Sequence, residues 1–375
     1  SASVVHVNDA SRAVTVVGDL LQWDRSEAYI KEVKLDYETF REKFLVRGRK
    51  KAYLNLEAAR QNKLRLHWKK EDITIPRQLG IVETGALDLR KLLPFIDWSP
   101  FFRAWDLHGK FPGILEDIVV GPQAQNLYED AQKMLREIIR KKTVVAKGVF
   151  GLFRANTKGD DIILTTQDGK DYWFRTLRQQ SHKREGVPNI ALSDFIAPAE
   201  SGVEDYVGCF CVTAGIGVEK LVTSYESQHD DYGSIMVKAL ADRLAEAFAE
   251  YLHREVRVRY WGYAPGESLD NEGLIREAYK GIRPAPGYPA CPDHLEKQTI
   301  WDVLQVEDRI GVNLTENLAM WPSASVSGYY FAHPEARYFG LGRIKQDQVV
   351  DYANRKGISI LEAEKWLGPN IAEEP

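Results

Sequence analysis

The stretch Arg283-Pro-Ala-Pro-Gly-Tyr-Pro-Ala-Cys-Pro-Asp-His294 limits this chain more than any other. Four prolines in twelve residues exclude a helix and a central strand, because proline lacks an amide donor and fixes φ. Each proline also drives the residue before it toward extended backbone, so the spacing predicts a stiff, extended loop. Gly287 is its one permissive joint, where another group can approach the backbone closely. Arg283 opens it with a planar five-donor fork suited to a carboxylate or phosphate. Tyr288 adds an aromatic contact, and the carbonyls of the loop add acceptors. Composition leaves two uses open: a preorganised binding wall, or a surface connection with no ligand.

The remainder reads as a soluble globular protein. At 375 residues, 44% hydrophobic and 28% charged, it can hold one large domain or two ordinary ones. No apolar run reaches membrane-span length and no signal-peptide pattern opens the sequence, so no membrane partner is expected. Cys209, Cys211 and Cys291 do not form a disulfide framework, which suits a reducing, cytoplasmic setting. Net charge is −4, yet residues 26–70 hold thirteen Lys or Arg against six Asp or Glu, including Arg47-Gly-Arg-Lys-Lys51. No aromatic stacking pattern or binding motif accompanies that basic stretch. A solvated linker face is therefore read there rather than a nucleic-acid site.

Periodicity divides the chain further. Val4–Val7 reads as a buried strand, and Asn8–Ser11 supplies cap residues for a helix to about Leu21. A lone strand–helix unit cannot bury both faces, so the sequence is expected to start inside a domain. Ser26 to about Val46 reads as a charged helix with Tyr29, Val33, Tyr37, Phe40 and Phe44 at spacings of three and four, stopped by Gly48. Residues 49–80 read as linker with a short helix at Leu56–Gln61. Asp97-Trp-Ser-Pro100 reads first as a helix cap.

Helices are predicted over about Gln123–Arg140 and Ser234–Glu255, the second with Val237, Leu240, Leu244, Phe248 and Leu252 as its apolar stripe. On that helix Glu246 falls almost opposite Leu244 and reads as an exposed charge. Strands are expected at 148–153, 161–166, 171–175 and 206–213, antiparallel because no crossover separates the first three. Further strand-like runs are 314–321, 326–331 and 337–342. Two closing helices, about Lys345–Lys356 and Ser359–Leu367, are expected to stop at Gly357 and Gly368.

Common catalytic signatures are missing: there is no G-x-G-x-x-G after a strand, no Walker loop, no G-x-S-x-G and no H-E-x-x-H. Cys291-Pro-Asp-His294 with Cys209-x-Cys211 could be weighed as zinc ligands, but C-x-x-H alone is weak.

The loop Arg283–Pro289 resembles the S-adenosylmethionine-binding loop of the reactivation domain of cobalamin-dependent methionine synthase. Further blocks fit that family in the same order: Pro94–Phe102, Leu192–Pro198, His229–Tyr232, Ile235–Glu250 and Ala324–Gly328. Phe95 stands where the family often has tyrosine. The resemblance implies an α+β fold, a mainly antiparallel twisted sheet flanked by helices. It implies the end of a cobalamin-binding domain at 1–23, a basic helical linker at 24–75 and the reactivation domain at 76–375. It implies binding of S-adenosylmethionine, with Arg283 on its carboxylate, Asp97 on its ammonium, Glu246, Tyr288 and Tyr338 near the sulfonium, and Ala285 and Phe339 lining the rest. The family usually has tyrosine at the position of Phe339, so a hydroxyl is missing there.

The implied job is repair. A methyl from S-adenosylmethionine and an electron from flavodoxin or a related reductase restore oxidised cobalamin, so no side-chain nucleophile is needed. Implied partners are the cobalamin-binding domain of the same polypeptide and the reductase, which the basic stretch could attract. The family's zinc belongs to a separate homocysteine domain. The competing expectation is a docking module for flavodoxin and the cobalamin domain that has no catalytic part.

Overall fold

The computed structural model describes residues 16–17, 20–21, 26–48 and 52–372. The strand read at Val4–Val7 and most of the helix read up to Leu21 lie outside the described residues. The chain divides into two compact units, Ser1–Leu54 and Asn55–Pro375. In the first, Ser26–Gly48 is a helix as its spacing predicts, although Leu35 and Phe40 are exposed.

The second unit begins before residue 76. Leu56–Gln61 is a helix capped by Asn55, whose side chain accepts from Ala58 N–H at 2.8 Å. Arg60 ties this helix down by ion pairs to Asp160 (2.7 Å) and Asp351 (2.9 Å), and Trp261 Nε1 donates to Thr74 O at 2.8 Å. Residues 55–75, read from sequence as linker, are therefore folded onto this unit.

Six antiparallel strands form its sheet: β1 (Gly80–Leu87), β2 (Val145–Lys158), β3 (Asp161–Thr165), β4 (Asp171–Arg175), β5 (Asp205–Ile216) and β8 (Ser325–Tyr330). The order is β4-β3-β2-β5-β8, with β1 also on β2. β2 is long enough for β1 (paired to 146–152) and β3 (paired to 154–158) to share one edge while β5 takes the other. A two-stranded ribbon, β6 (Asn313–Leu314) and β7 (Met320–Trp321), lies outside this sheet.

Both faces of the sheet are buried, which is why its central strands read as continuous apolar runs rather than alternating ones. Phe150, Leu152, Phe210 and Val212 enter one core together with Leu240, Leu244 and Phe248 of the helix Asp231–Glu255. Val149, Phe153, Val207, Cys209 and Cys211 enter the opposite core with Ile300, Trp301 and Leu304 of the helix Glu296–Leu304. Each fully buried aromatic or aliphatic side chain of this kind contributes roughly 1.5–3 kcal/mol.

The two helices with strong stripes form as predicted, at Gly121–Lys141 and Asp231–Glu255. The second continues into a π-helical turn at Val256–Tyr260. Residues 337–342 are not a strand. They run beside the proline loop, where Leu341 N–H donates to Pro289 O at 2.7 Å. Of the two expected glycine stops, Gly357 adopts the left-handed conformation (φ 75°), but Gly368 opens a 3-10 turn. The strand β1 and the helices Val218–Glu226 and Glu296–Leu304 were missed by the sequence reading, although Val218, Leu221, Val222 and Tyr225 form a short apolar stripe that packs on the core.

Candidate functional site

The proline loop lies along the free edge of β8. Ile282 and Phe331 exchange backbone hydrogen bonds at 3.0 Å, and Tyr329 N–H donates to Pro284 O at 2.9 Å. Pro284 can sit at this edge because its carbonyl accepts from the strand while its missing amide is not called on. The approach requires a bare backbone opposite. A side chain at Gly328 would put its Cβ 2.6 Å from Pro284 O. Beyond Ala285 the loop turns back on itself through Gly287, whose N–H donates to Cys291 O at 2.7 Å. Gly287 has φ 95°, and a Cβ there would lie 2.5 Å from the His294 ring.

The helix Asp231–Glu255 supplies the facing wall. Its leucine stripe goes to the sheet, while Glu246, Glu250, His253 and Arg257 follow at spacings of four, three and four along another face. That face meets the base of the loop. Arg283 Nη2 donates to Glu250 Oε2 at 3.2 Å, and Arg283 N–H donates to the Tyr338 hydroxyl at 2.9 Å. The Tyr338 and Tyr279 hydroxyls are 3.1 Å apart, and the Arg257 guanidinium stands 4.2 Å over the Tyr279 ring. His253 is fully buried between Tyr330 (stacked, 5.2 Å) and Tyr279 (edge, 4.8 Å).

Charge is concentrated here. Burial opposes the Arg283 charge, but the Glu250 carboxylate, then Tyr338, Tyr279 and Glu246, outweigh it and hold the guanidinium more firmly protonated than usual. Burial, with Arg257 and Arg283 nearby, pushes His253 well below its ordinary value, so it is neutral. Tyr288 is exposed (55%), and partial covering of its hydroxyl, followed by the Glu246 charge, raises it. Glu277, beside Arg283 and Glu250, is raised mainly by burial. Several polar atoms are buried with no hydrogen-bond partner, among them Arg283 Nε, Glu250 Oε1, Arg257 Nη1 and the hydroxyls of Tyr263 and Tyr330. Of these, Glu250 Oε1 and Arg257 Nη1 face each other at 3.6 Å, an ion pair longer than a hydrogen bond.

The residues singled out from sequence fall as follows. Arg283 N–H is hydrogen-bonded to the Tyr338 hydroxyl, and the Glu246 charge acts on both Arg283 and Tyr288. Glu246 is half-buried, not the exposed charge that periodicity alone indicates, because the helix is covered on a second face. Ala285 is buried against Gly328. Phe339 packs towards Phe195 at 6.4 Å. Asp97 accepts from Ser99 N–H at 3.0 Å, but the residue at the N-cap of the helix Ser99–Arg103 is Trp98, with no side-chain cap bond, so the expected cap is not formed. Its segment reaches the helix Asp231–Glu255 through Phe95, edge-on to Tyr251 at 5.5 Å, while Ile96 O accepts from Asn271 of the helix Asn271–Ile275 at 3.1 Å. Among the described residues no hydrogen bond or ion pair joins Asp97 to Arg283.

Sequence reading missed Glu250, Arg257, Tyr279 and Glu277. The first two were legible as a polar stripe on an otherwise alanine- and leucine-rich helix. The tyrosine and Glu277 come from an irregular segment that carries no periodic signal. Among the described residues no three His, Cys, Asp or Glu side chains gather as a metal site, and no helix is long and apolar enough to cross a membrane. A cleft of about 220 Å³ between the helices Gly121–Lys141, Val218–Glu226 and Asp231–Glu255, lined by Met134, Ile138, Thr143 and Tyr225, contains none of the residues above.

The geometry compares directly with known proteins. Residues 88–357 match the family model for the activation domain of vitamin B12-dependent methionine synthase. The crystal structure of the MetH reactivation domain bound to AdoHcy is 52% identical, with TM-score 0.83, over 86% of this chain and 99% of that one.

Proposed function

This chain belongs to the family of vitamin B12-dependent methionine synthase activation domains, and from that premise we propose that it binds S-adenosylmethionine between the proline loop and the helix Asp231–Glu255. The observation that carries the proposal is the Arg283 guanidinium at the base of the proline loop, a charged fork that Glu250 holds through Nη2 at 3.2 Å. A ligand carboxylate is the acceptor such a fork completes, by charge-assisted hydrogen bonds. A ligand that is S-adenosylhomocysteine in a homologue of 52% identity fits the same requirement.

In this reading Arg283 takes the carboxylate and Asp97 the ammonium of the methionine moiety. Glu246 supplies negative charge near the sulfonium, and Tyr288 and Tyr338 offer their ring faces or hydroxyls to it. Ala285 and Phe339 line the nucleoside side through backbone and ring. The cobalamin held by another domain of the same polypeptide is the substrate. After one electron from flavodoxin or a related reductase, the methyl–sulfur bond breaks, the methyl passes to cobalt and S-adenosylhomocysteine leaves. This chain's part is to orient the methyl in line and exclude water, so it acts as the donor-binding half of a methyltransferase.

Calorimetric titration of the full chain with S-adenosylhomocysteine tests this. The wild type should bind. Arg283→Ala should weaken binding by about 10- to 100-fold, the loss of roughly 1.5–3 kcal/mol of charge-assisted bonding. A folded wild type that binds nothing would sink the proposal. Absence of binding in the wild type would favour the docking module, and unchanged affinity in the variant would remove Arg283 from the site.

A further inference from the structure

Arg283 does not stand alone at the mouth of the loop: it is one member of a closed ring of contacts. Its Nη2 donates to Glu250 Oε2 at 3.2 Å, and Glu250 Oε1 lies 3.6 Å from Arg257 Nη1. Arg257 covers the Tyr279 ring at 4.2 Å, the Tyr279 hydroxyl lies 3.1 Å from that of Tyr338, and Tyr338 accepts the Arg283 N–H at 2.9 Å. The ring is anchored from outside by Glu267, which accepts from Arg257 Nε at 2.6 Å and Nη2 at 2.7 Å. Arg257 is fully buried, and Glu267 is only 6% exposed at its side chain. Arg257 also sits in the π-helical turn Val256–Tyr260, so the extra residue of that turn sets its direction.

We propose that Glu250, fixed by Arg257 and Glu267, is a positioning residue that aims the Arg283 fork at the ligand carboxylate. The inference rests on the reading of Arg283 given above. Without Glu250 an arginine this buried has only its own backbone to orient it, and its long side chain has several competing rotamers. Glu250 holds Nη2, the nitrogen shared by the side and end edges of the guanidinium, and so fixes the plane in which the fork presents its remaining donors. The same arrangement explains two charged pairs in a region of low exposure. The outer pair, Arg257–Glu267, is bidentate and close. The inner contact of Arg257 to Glu250 is longer, so Glu250 is turned towards Arg283.

The test compares two probes on the full chain: S-adenosylhomocysteine and its decarboxylated analogue, which retains nucleoside, sulfur and amine. Glu250→Gln should weaken S-adenosylhomocysteine about 10-fold and change the analogue less than about 2-fold. Glu267→Gln, which touches only Arg257, should show the same selectivity with a smaller loss of about 3-fold. It serves as the readout if the first variant does not fold. Equal losses for both probes would mark Glu250 as merely structural, and no loss for either would remove it from the site; both overturn the proposal. An Arg283→Ala control that also fails to discriminate the probes would refute the reading of Arg283 itself, and this inference with it.

Discussion

Replacing Gly328 by alanine tests whether the site depends on the contact between the proline loop and β8. The added Cβ would meet Pro284 O at 2.6 Å, Phe210 at 3.0 Å and the Ala285 Cβ at 3.3 Å. Gly328 has no left-handed backbone, so the cost comes from packing alone. A backbone carbonyl cannot swing away as a side chain can, so the loop must move outward by at least about 0.8 Å to restore an ordinary contact. That movement strains the Tyr329 N–H bond to Pro284 O, now 2.9 Å. Overpacking of a filled interior costs roughly 1–3 kcal/mol, and a buried amide deprived of its partner roughly another 1–3. The expected loss is about 2–6 kcal/mol, a fall in Tm of roughly 3–9 °C for a unit of this size. Because Ala285 and Arg283 move with the loop, affinity for S-adenosylhomocysteine should drop at least about 10-fold. Differential scanning calorimetry and titration read both, with Gly340→Ala as control, since the nearest atom to a Cβ there is 4.0 Å away. A Gly328→Ala protein with wild-type Tm and affinity would refute the reasoning.

Three further outcomes are expected. Tyr338→Phe removes the hydroxyl that accepts Arg283 N–H and meets Tyr279. It should cost roughly 1–3 kcal/mol in urea unfolding while leaving the ring face in place. Asp205 is buried, and burial pushes its carboxyl from 3.8 to about 6 despite bonds from Ala197 and Tyr206 N–H. The folded state therefore keeps this proton over a window in which the unfolded chain has lost it. Stability should fall by roughly 3 kcal/mol as pH rises between those values, and Asp205→Asn should flatten that part of the profile. Cys209, Cys211 and Cys291 are all buried, with their thiols pushed up by burial. A thiol reagent such as Ellman's should label none of them in the native protein, and all three on unfolding; native labelling would contradict the packing.

Much of this was legible in the residues. A leucine stripe at period 3.6 predicts the helix Asp231–Glu255, since only one face of a helix can meet a sheet. Apolar runs broken by Asp-Gly predict β2 to β4 as antiparallel neighbours, and four prolines predict a segment that no central strand can include. Those properties are local: each depends on one residue's backbone preferences or on its neighbours along the chain. Tertiary structure decided what lies across from each element. Glu246 looks solvent-facing by angle alone, but the helix is covered on that side, where Glu250, one turn on, is hydrogen-bonded to Arg283. Gly328 is one small residue in an apolar strand until Pro284 O is brought to within contact of it, 44 positions earlier in the chain. The site is a property of groups distant in sequence, and their meeting is set by how the two cores pack against the sheet, which no local pattern encodes.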